Sequence, residues 1–147
     1  MAFEFRFETV LNQRDWAQKK AEKELAEVQT LIAREKTRLE NLLSALAASR
    51  NELRNNQQTR IEEVKLYSTF HDDLKNEIVR QEERINQLMR LDAEKRQALL
   101  KASGEKKAME TLKEKDLLCF NKQLQKKEEK FIDEISMIAQ NHKMAGR

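Results

Sequence analysis

Two rows of residues spaced seven apart run through the first third of the chain, from Phe7 to Leu53. One row is Leu11, Gln18, Leu25, Ile32, Leu39, Leu46 and Leu53, and the other is Phe7, Arg14, Ala21, Val28, Glu35, Leu42 and Ser49. This is the a/d pattern of a left-handed coiled coil. Charged and small residues fill most other positions, so the stripe is too narrow for a globular core. A helix of this kind needs a partner along its seam.

Composition favours long helices over a compact domain. Of 147 residues, 37% are charged and 5% aromatic, and the chain has no proline and two glycines. Ala, Glu, Lys, Leu and Arg together reach about 55%, which is typical of coiled coils. So polar a chain could also be disordered, but the sustained heptads favour helix. Acidic and basic residues are interspersed at a net charge of +3, so no nucleic-acid partner is expected.

Several function classes find no support in the residues. The single cysteine, Cys119, excludes an internal disulfide and fits a reducing compartment. His71 falls on a heptad row and His142 lies in the polar tail, so no metal site is expected. There is no phosphate-binding glycine loop, no run of the ~20 apolar residues that span a membrane, and no signal-peptide core. We expect a cytoplasmic non-enzyme without catalytic residues, cofactor or small-molecule substrate.

A polar stretch from Arg54 to Thr59 interrupts the heptads and predicts the only sharp turn. Its asparagines favour a turn, and Thr59 with Glu62 matches a helix-capping box. Heptad rows then resume over Val64, Tyr67, His71, Leu74, Ile78, Gln81, Ile85, Leu88, Asp92, Lys95, Leu99, Ala102 and Met109. We predict an all-α fold, a long antiparallel two-helix coiled coil with the second helix longer. It forms one domain, 1–147, with helices at about 4–54 and 60–139, a turn at about 55–59 and a tail at 140–147.

Two registers are open to the predicted hairpin. The expected one sets Leu46 opposite Tyr67, Leu39 opposite Leu74, Val28 opposite Ile85 and Leu25 opposite Leu88. A shift by one heptad would instead pair Val28 with Asp92 and Leu25 with Lys95, which is a poorer apolar match. Polar seam residues are expected to fix the register; these are Arg14, Gln18, Glu35 and Gln81. Gly104 either kinks the second helix or is tolerated within it.

The longer second helix leaves an end without an intramolecular partner. In a simple hairpin, Phe7 comes opposite about residues 106 to 113. The overhang beyond it carries an apolar stripe, namely Leu117, Phe120, Leu124, Phe131, Ile135 and Ile138. Burying one large apolar side chain is worth ~1.5–3 kcal/mol, so the stripe predicts an interaction protein that binds through its terminal end. The alternative is that the overhang associates with itself.

Short motifs follow one another in order along nearly the whole chain. They are Phe5-x-Phe7-x-x-x-Leu11-x-x-Arg14, Ala21, Leu25-Ala26, Tyr67-x-x-Phe70-x-x-x-Leu74, Leu112-Lys113-Glu114-Lys115, Phe120 and Glu129-Lys130-x-x-Asp133-Glu134. In their order, together with the length and turn position, the chain resembles the FliJ family, small coiled-coil proteins of the bacterial flagellar type III export apparatus. Phe120 stands where that family often has tyrosine.

The resemblance implies a stalk-like hairpin without enzymatic activity of its own. Such proteins bind the hexameric export ATPase, promote assembly of its ring, contact the membrane export gate and escort export chaperones, peripherally at the inner membrane. Carried over by position, Phe5, Phe7, Leu11, Arg14, Lys130, Asp133 and Glu134 would bind the ATPase, and the stripe adds Leu117, Phe120, Leu124 and Phe131. The expected gate-binding residues are Leu42, Leu46, Phe70 and Leu74.

Two other functions compete with the stalk. A parallel homodimeric coiled coil acting as a spacer would ignore the turn at 55–59 and give a dimeric mass. A holdase-type chaperone gripping unfolded clients would need no ATPase. Light scattering and client-binding assays separate these alternatives from the hairpin.

Overall fold

The computed structural model describes residues 2–56 and 60–146, and it contains two α-helices. Helix α1 is Glu8–Asn55 and helix α2 is Ile61–Ala145, of 48 and 85 residues. The described residues form no strand. Side chains early in α1 pair with side chains late in α2, as Glu24 does with Lys95, whereas Ser49 pairs with His71. The helices are therefore antiparallel, and the predicted all-α hairpin with a longer second helix is confirmed.

The helix ends differ from the predicted ones. Helix α1 begins at Glu8, where the backbone N–H donates to the carbonyl of Phe5 at 3.2 Å, so residues 2–7 precede the helix. Helix α2 continues to Ala145 instead of fading after Ile138, with His142 and Lys143 in its last turn, where positive charge is favourable. The predicted capping residue Thr59 and its neighbours 57 and 58 lie outside the described residues.

Helix α2 passes through Gly104 without interruption. A Cβ added at this position would meet no atom within 4 Å. The glycine is therefore tolerated within a continuous helix, and it marks no break there.

The contacts divide the chain into two units. The terminal unit consists of Met1–Gln18 and Ala102–Arg147, and the middle unit of Lys19–Lys101. Each unit contains a stretch of both helices. The prediction that the chain forms one domain stays a prediction.

The core of the middle unit is a cluster of leucine and isoleucine side chains along the seam. Leu46, Leu74 and Ile78 are buried, and Leu39 and Leu42 pack against them. Val28 and Ile85 are buried as well. These residues belong to the predicted heptad rows, so the rows identified the core correctly.

Polar side chains are also buried in this seam, and they pair with one another. The Gln81 side-chain amide donates to the backbone carbonyl of Glu35 at 3.0 Å and also to its carboxylate, which Arg84 approaches at 3.8 Å. Ser49 Oγ and His71 Nε2 are 2.7 Å apart. A buried polar group without a partner is costly. These pairs therefore penalise any register that separates them.

The expected register is wrong, and the helices adopt the alternative shifted by one heptad. Leu46 packs in a cluster with Leu74 and Ile78, whereas Tyr67 lies beside Glu52. Lys95 Nζ donates to Glu24 at 3.0 Å, next to Leu25, as the shifted register requires.

The shifted register is favoured because it matches polar with polar residues. The expected register would have set His71 opposite Leu42 and Gln81 opposite Ile32. The shift also sets two charged residues opposite apolar ones, Asp92 opposite Val28 and Lys95 opposite Leu25. Lys95 is paired with Glu24, so the larger penalty falls on Asp92. One carboxylate oxygen of Asp92 is buried and finds no hydrogen-bond partner in the described part of the chain, although the other accepts from Arg96 at 2.8 Å.

Ion pairs join the two helices within the terminal unit. Glu8 pairs with Lys113 at 2.9 Å, Arg14 with Glu105 at 2.7 Å, and Asp15 with Lys106 at 2.8 Å. The hydrogen bond that Lys106 donates to the Asp15 carboxylate raises the pKa of Lys106 above its ordinary value. All three pairs are partly exposed, so they contribute more to alignment than to stability.

Candidate functional site

The residues before α1 form an aromatic cap on the terminal unit. Phe5 is buried, its ring meets the edge of Phe7 at 5.9 Å between centroids, and Lys113 Nζ lies 6.0 Å from its centre. Phe3 reaches further along α2 and packs against Phe120 at 5.5 Å. Intramolecular cover therefore extends to Phe120, past the 106–113 expected for Phe7.

Beyond Phe120, α2 loses this cover. Every described residue from 121 to 146 is exposed except Leu124, which is half-buried. The segment is nonetheless rich in large apolar side chains. Those exposed from residue 117 onward are Leu117, Leu118, Phe131, Ile132, Ile135, Met137, Ile138 and Met144.

Six apolar residues form one narrow stripe, here called the terminal apolar face. They are Leu117, Phe120, Leu124, Phe131, Ile135 and Ile138. At 3.6 residues per turn they fall within an arc of about 60°, which is the width of a coiled-coil seam. A surface groove of about 320 Å³ lies along it, lined by Phe120, Gln123, Leu124, Lys127, Glu128 and Phe131. The stripe therefore has the width of a coiled-coil seam, but from residue 121 onward no helix covers it in the described part of the chain.

A second exposed apolar surface lies early in α2, within the middle unit. Leu66, Tyr67 and Phe70 line a groove of about 410 Å³, here called the Phe70 groove. Leu66 is 72% exposed and Phe70 49%. Burial first, and then the neighbouring Glu52 carboxylate, raise the pKa of the Tyr67 hydroxyl.

The chain is similar to a known protein family over almost its whole length. The model of the family described as "Flagellar FliJ protein" matches residues 3–145. The chain belongs to the FliJ family. It is therefore a component of the flagellar export apparatus, which serves type III export and flagellum biogenesis. No curated protein and no solved structure matches the chain.

FliJ proteins are structural and export components, and the family is not a known enzyme family. The described residues of this member contain no group of three or more side chains that could hold a metal ion. None of its described helices is long and apolar enough to cross a bilayer. Cys119 is exposed.

The residues assigned to the ATPase by the FliJ resemblance differ in accessibility. Phe5 is buried, Leu11 half-buried, and Arg14 engaged with Glu105, whereas Phe7 is exposed. Lys130, Asp133 and Glu134 are all exposed. Both groups belong to the terminal unit, but Lys130, Asp133 and Glu134 lie beyond Phe120, where the contacts made by the start of the chain end. The binding role of the assigned residues stays a prediction.

The gate-binding set divides in the same way. Leu46 and Leu74 are buried in the seam cluster and Leu42 packs against it, so Phe70 alone of the four is well exposed. Leu66 was missed because it lies off both heptad rows. An apolar residue outside the seam on a charged helix is the sequence signal that could have identified it.

Proposed function

We propose that this FliJ family member is a stalk that binds the hexameric flagellar export ATPase through its terminal unit, promotes assembly and activity of the ATPase ring, and links the ring to the membrane export gate. Escort of export chaperones belongs to the same proposal. The chain would act on the cytoplasmic side, peripherally at the inner membrane, through its protein partners.

The main support for this proposal is the exposure of the terminal apolar face. Phe131, Ile135 and Ile138 are each at least half exposed. Contiguous apolar surface of this kind marks an interaction site. A stripe as narrow as a seam is suited to packing along helices, and a partner that encloses it would bury all six side chains at once. The family membership supports a partner within the export apparatus.

Charged residues beside the face support a partner with polar groups of its own. Lys127 and Glu128 line the groove between Leu124 and Phe131. Such charges add little to affinity but orient a partner and exclude mismatched ones. They would therefore set how the stalk is positioned in the ring.

The export gate would bind at the Phe70 groove. Phe70 is accessible, whereas Leu42, Leu46 and Leu74 support the helix pair from within. Substituting any of those three leucines would therefore weaken gate binding indirectly, because it would destabilise the helix pair.

The decisive experiment removes the exposed segment and keeps the cap. A chain ending at Asn121 retains the Phe3–Phe120 contact and should remain helical by circular dichroism, yet it should no longer stimulate ATP hydrolysis by the export ATPase. Phe131→Asp should reduce stimulation as well. Leu100→Asp is the matched control, since Leu100 is also a strongly exposed apolar residue of α2. Full stimulation by the shortened chain would refute the proposal.

A further inference from the structure

The Phe70 groove lies among carboxylates. Glu63 contributes to the raised pKa of Tyr67, after burial and Glu52, and therefore stands close to the groove. Helical spacing of three and four residues puts Glu62 and Glu63 on the side of Leu66 and Phe70, and Asp73 beside Phe70. All three carboxylates are exposed. The apolar groove thus has an acidic rim.

The nearest cations along α2 lie off this face. Helical spacing puts Lys65 and Lys75 at least about 100° round the helix from Leu66 and Phe70, and Arg60 precedes Phe70 by ten residues. On the same face of α2 the next residue is Glu77, and it is paired with Arg38 at 3.4 Å. Glu52 adds a further negative charge beside Tyr67. Acidic and basic residues are interspersed along most of the chain, so this concentration of one sign around an exposed aromatic is a local departure. A field of one sign at a binding surface selects partners of the opposite sign and steers their approach.

We infer that the Phe70 groove binds a segment of the export gate in which one or two apolar side chains are flanked by lysine or arginine. The inference rests on the proposed gate-binding function and states its chemistry. The apolar side chain of the partner fills the space between Leu66 and Phe70, and the flanking cations meet Glu62, Glu63 and Asp73. Leu66 is a contact residue of this surface, whereas Leu74 supports it from within the core.

The geometry supports these separate roles. Leu66 has no part in the seam, and its side chain is 72% exposed, so removing it leaves the helix pair intact. Leu74 is 8% exposed and belongs to the cluster with Leu46 and Ile78. Truncating Leu74 would create a cavity and lower stability, and any effect on binding would follow from that loss.

Binding of the purified cytoplasmic part of the export gate protein to the full-length chain, measured by calorimetry at several salt concentrations, tests the inference. Leu66→Ala should weaken binding by about tenfold, the usual cost of removing a central apolar contact. Leu100→Ala, which alters an equally exposed leucine, should leave binding unchanged. The melting temperature should not change in either variant.

The acidic rim is tested by charge reversal. Glu62→Lys with Glu63→Lys should weaken binding and reduce its dependence on salt, because fewer charges attract the partner. The control is Glu82→Lys with Glu83→Lys, an exposed pair later in α2. It should change neither the affinity nor its dependence on salt. Binding that is unaffected by Leu66→Ala, or that tightens on reversal at the rim, overturns the inference. Binding unaffected even by Phe70→Ala instead refutes the gate-binding function itself.

Discussion

At the scale of single residues, the buried pair of Glu35 and Gln81 is the most consequential polar contact of the seam. The Gln81 amide donates to both the carbonyl and the carboxylate of Glu35. Gln81→Leu would leave a buried carboxylate with Arg84 alone at 3.8 Å. We expect the free energy of unfolding to fall by about 1–3 kcal/mol, measured by urea denaturation.

The double variant Glu35→Leu with Gln81→Leu is the matched control for that change. Replacing both partners of a buried polar pair by apolar residues is often neutral or stabilising. The double variant should therefore be more stable than Gln81→Leu alone. If the single variant were as stable as the unmodified chain, the pair would have no role in the seam.

Substituting Gly104 should stabilise the fold, in contrast to Gln81→Leu. Because α2 is continuous there and a Cβ would meet no atom within 4 Å, Gly104→Ala should raise the free energy of unfolding by about 0.5–1 kcal/mol. Urea denaturation followed by circular dichroism measures this. A loss of stability would contradict this prediction. It would show that the backbone at this position needs glycine, as it would in a kinked helix.

At the scale of the two helices, the ion pair of Glu24 and Lys95 makes the helix contact depend on pH. The hydrogen bond from Lys95 and its charge hold the pKa of Glu24 below the ordinary value of 4.5. A lowered folded-state pKa contributes stability above pH 4.5 that is lost as the pH falls through the folded value. Glu24→Gln should therefore lower stability at pH 7 and have less effect near pH 3, as thermal melts at both pH values would show. An equal loss of stability at both pH values would contradict this prediction.

The register of the helices can be tested by crosslinking. In a Cys119→Ser background, Ser49→Cys with His71→Cys should be joined within one chain by a short thiol-reactive reagent, because these side chains meet at 2.7 Å. Ser49→Cys with Val64→Cys is the control, since only the expected but incorrect register would bring those positions together. Preferential crosslinking of Ser49→Cys with Val64→Cys would contradict the register shifted by one heptad.

How far the sequence predicts these elements depends on the kind of signal. Heptad spacing identified both helices and the core residues, because a sustained seven-residue apolar period is typical of coiled-coil helices. It misplaced the register because the prediction used two apolar layers, Val28 with Ile85 and Leu25 with Leu88. The layers that contain polar seam residues were left out. Ser49 and His71 both lie on the heptad rows, and only the shifted register sets them opposite each other, so the polar layers already favoured that register. The contact of Phe3 with Phe120 was inaccessible to this reasoning, since residues 2–5 have no repeat.

At the scale of the molecule, the sequence predicted where apolar surface is exposed better than it predicted the accessibility of individual residues. The terminal apolar face follows from unequal helix lengths and exposed apolar positions, and both are present. Individual assignments made by resemblance included buried side chains such as Phe5 and Leu74. Burial in an antiparallel pair depends on the partner helix, so a motif in one helix cannot report it.

Hydrogen exchange of the chain, with and without the hexameric export ATPase, tests the central claim most directly. Amides at the end of a helix without tertiary cover open readily, so residues 121–145 should exchange fast in the free chain. Enclosure of the terminal apolar face by the ATPase should slow their exchange strongly and leave the seam around Leu46 and Leu74 unchanged. Protection confined to the seam, with residues 121–145 exchanging as fast as before, would contradict the account.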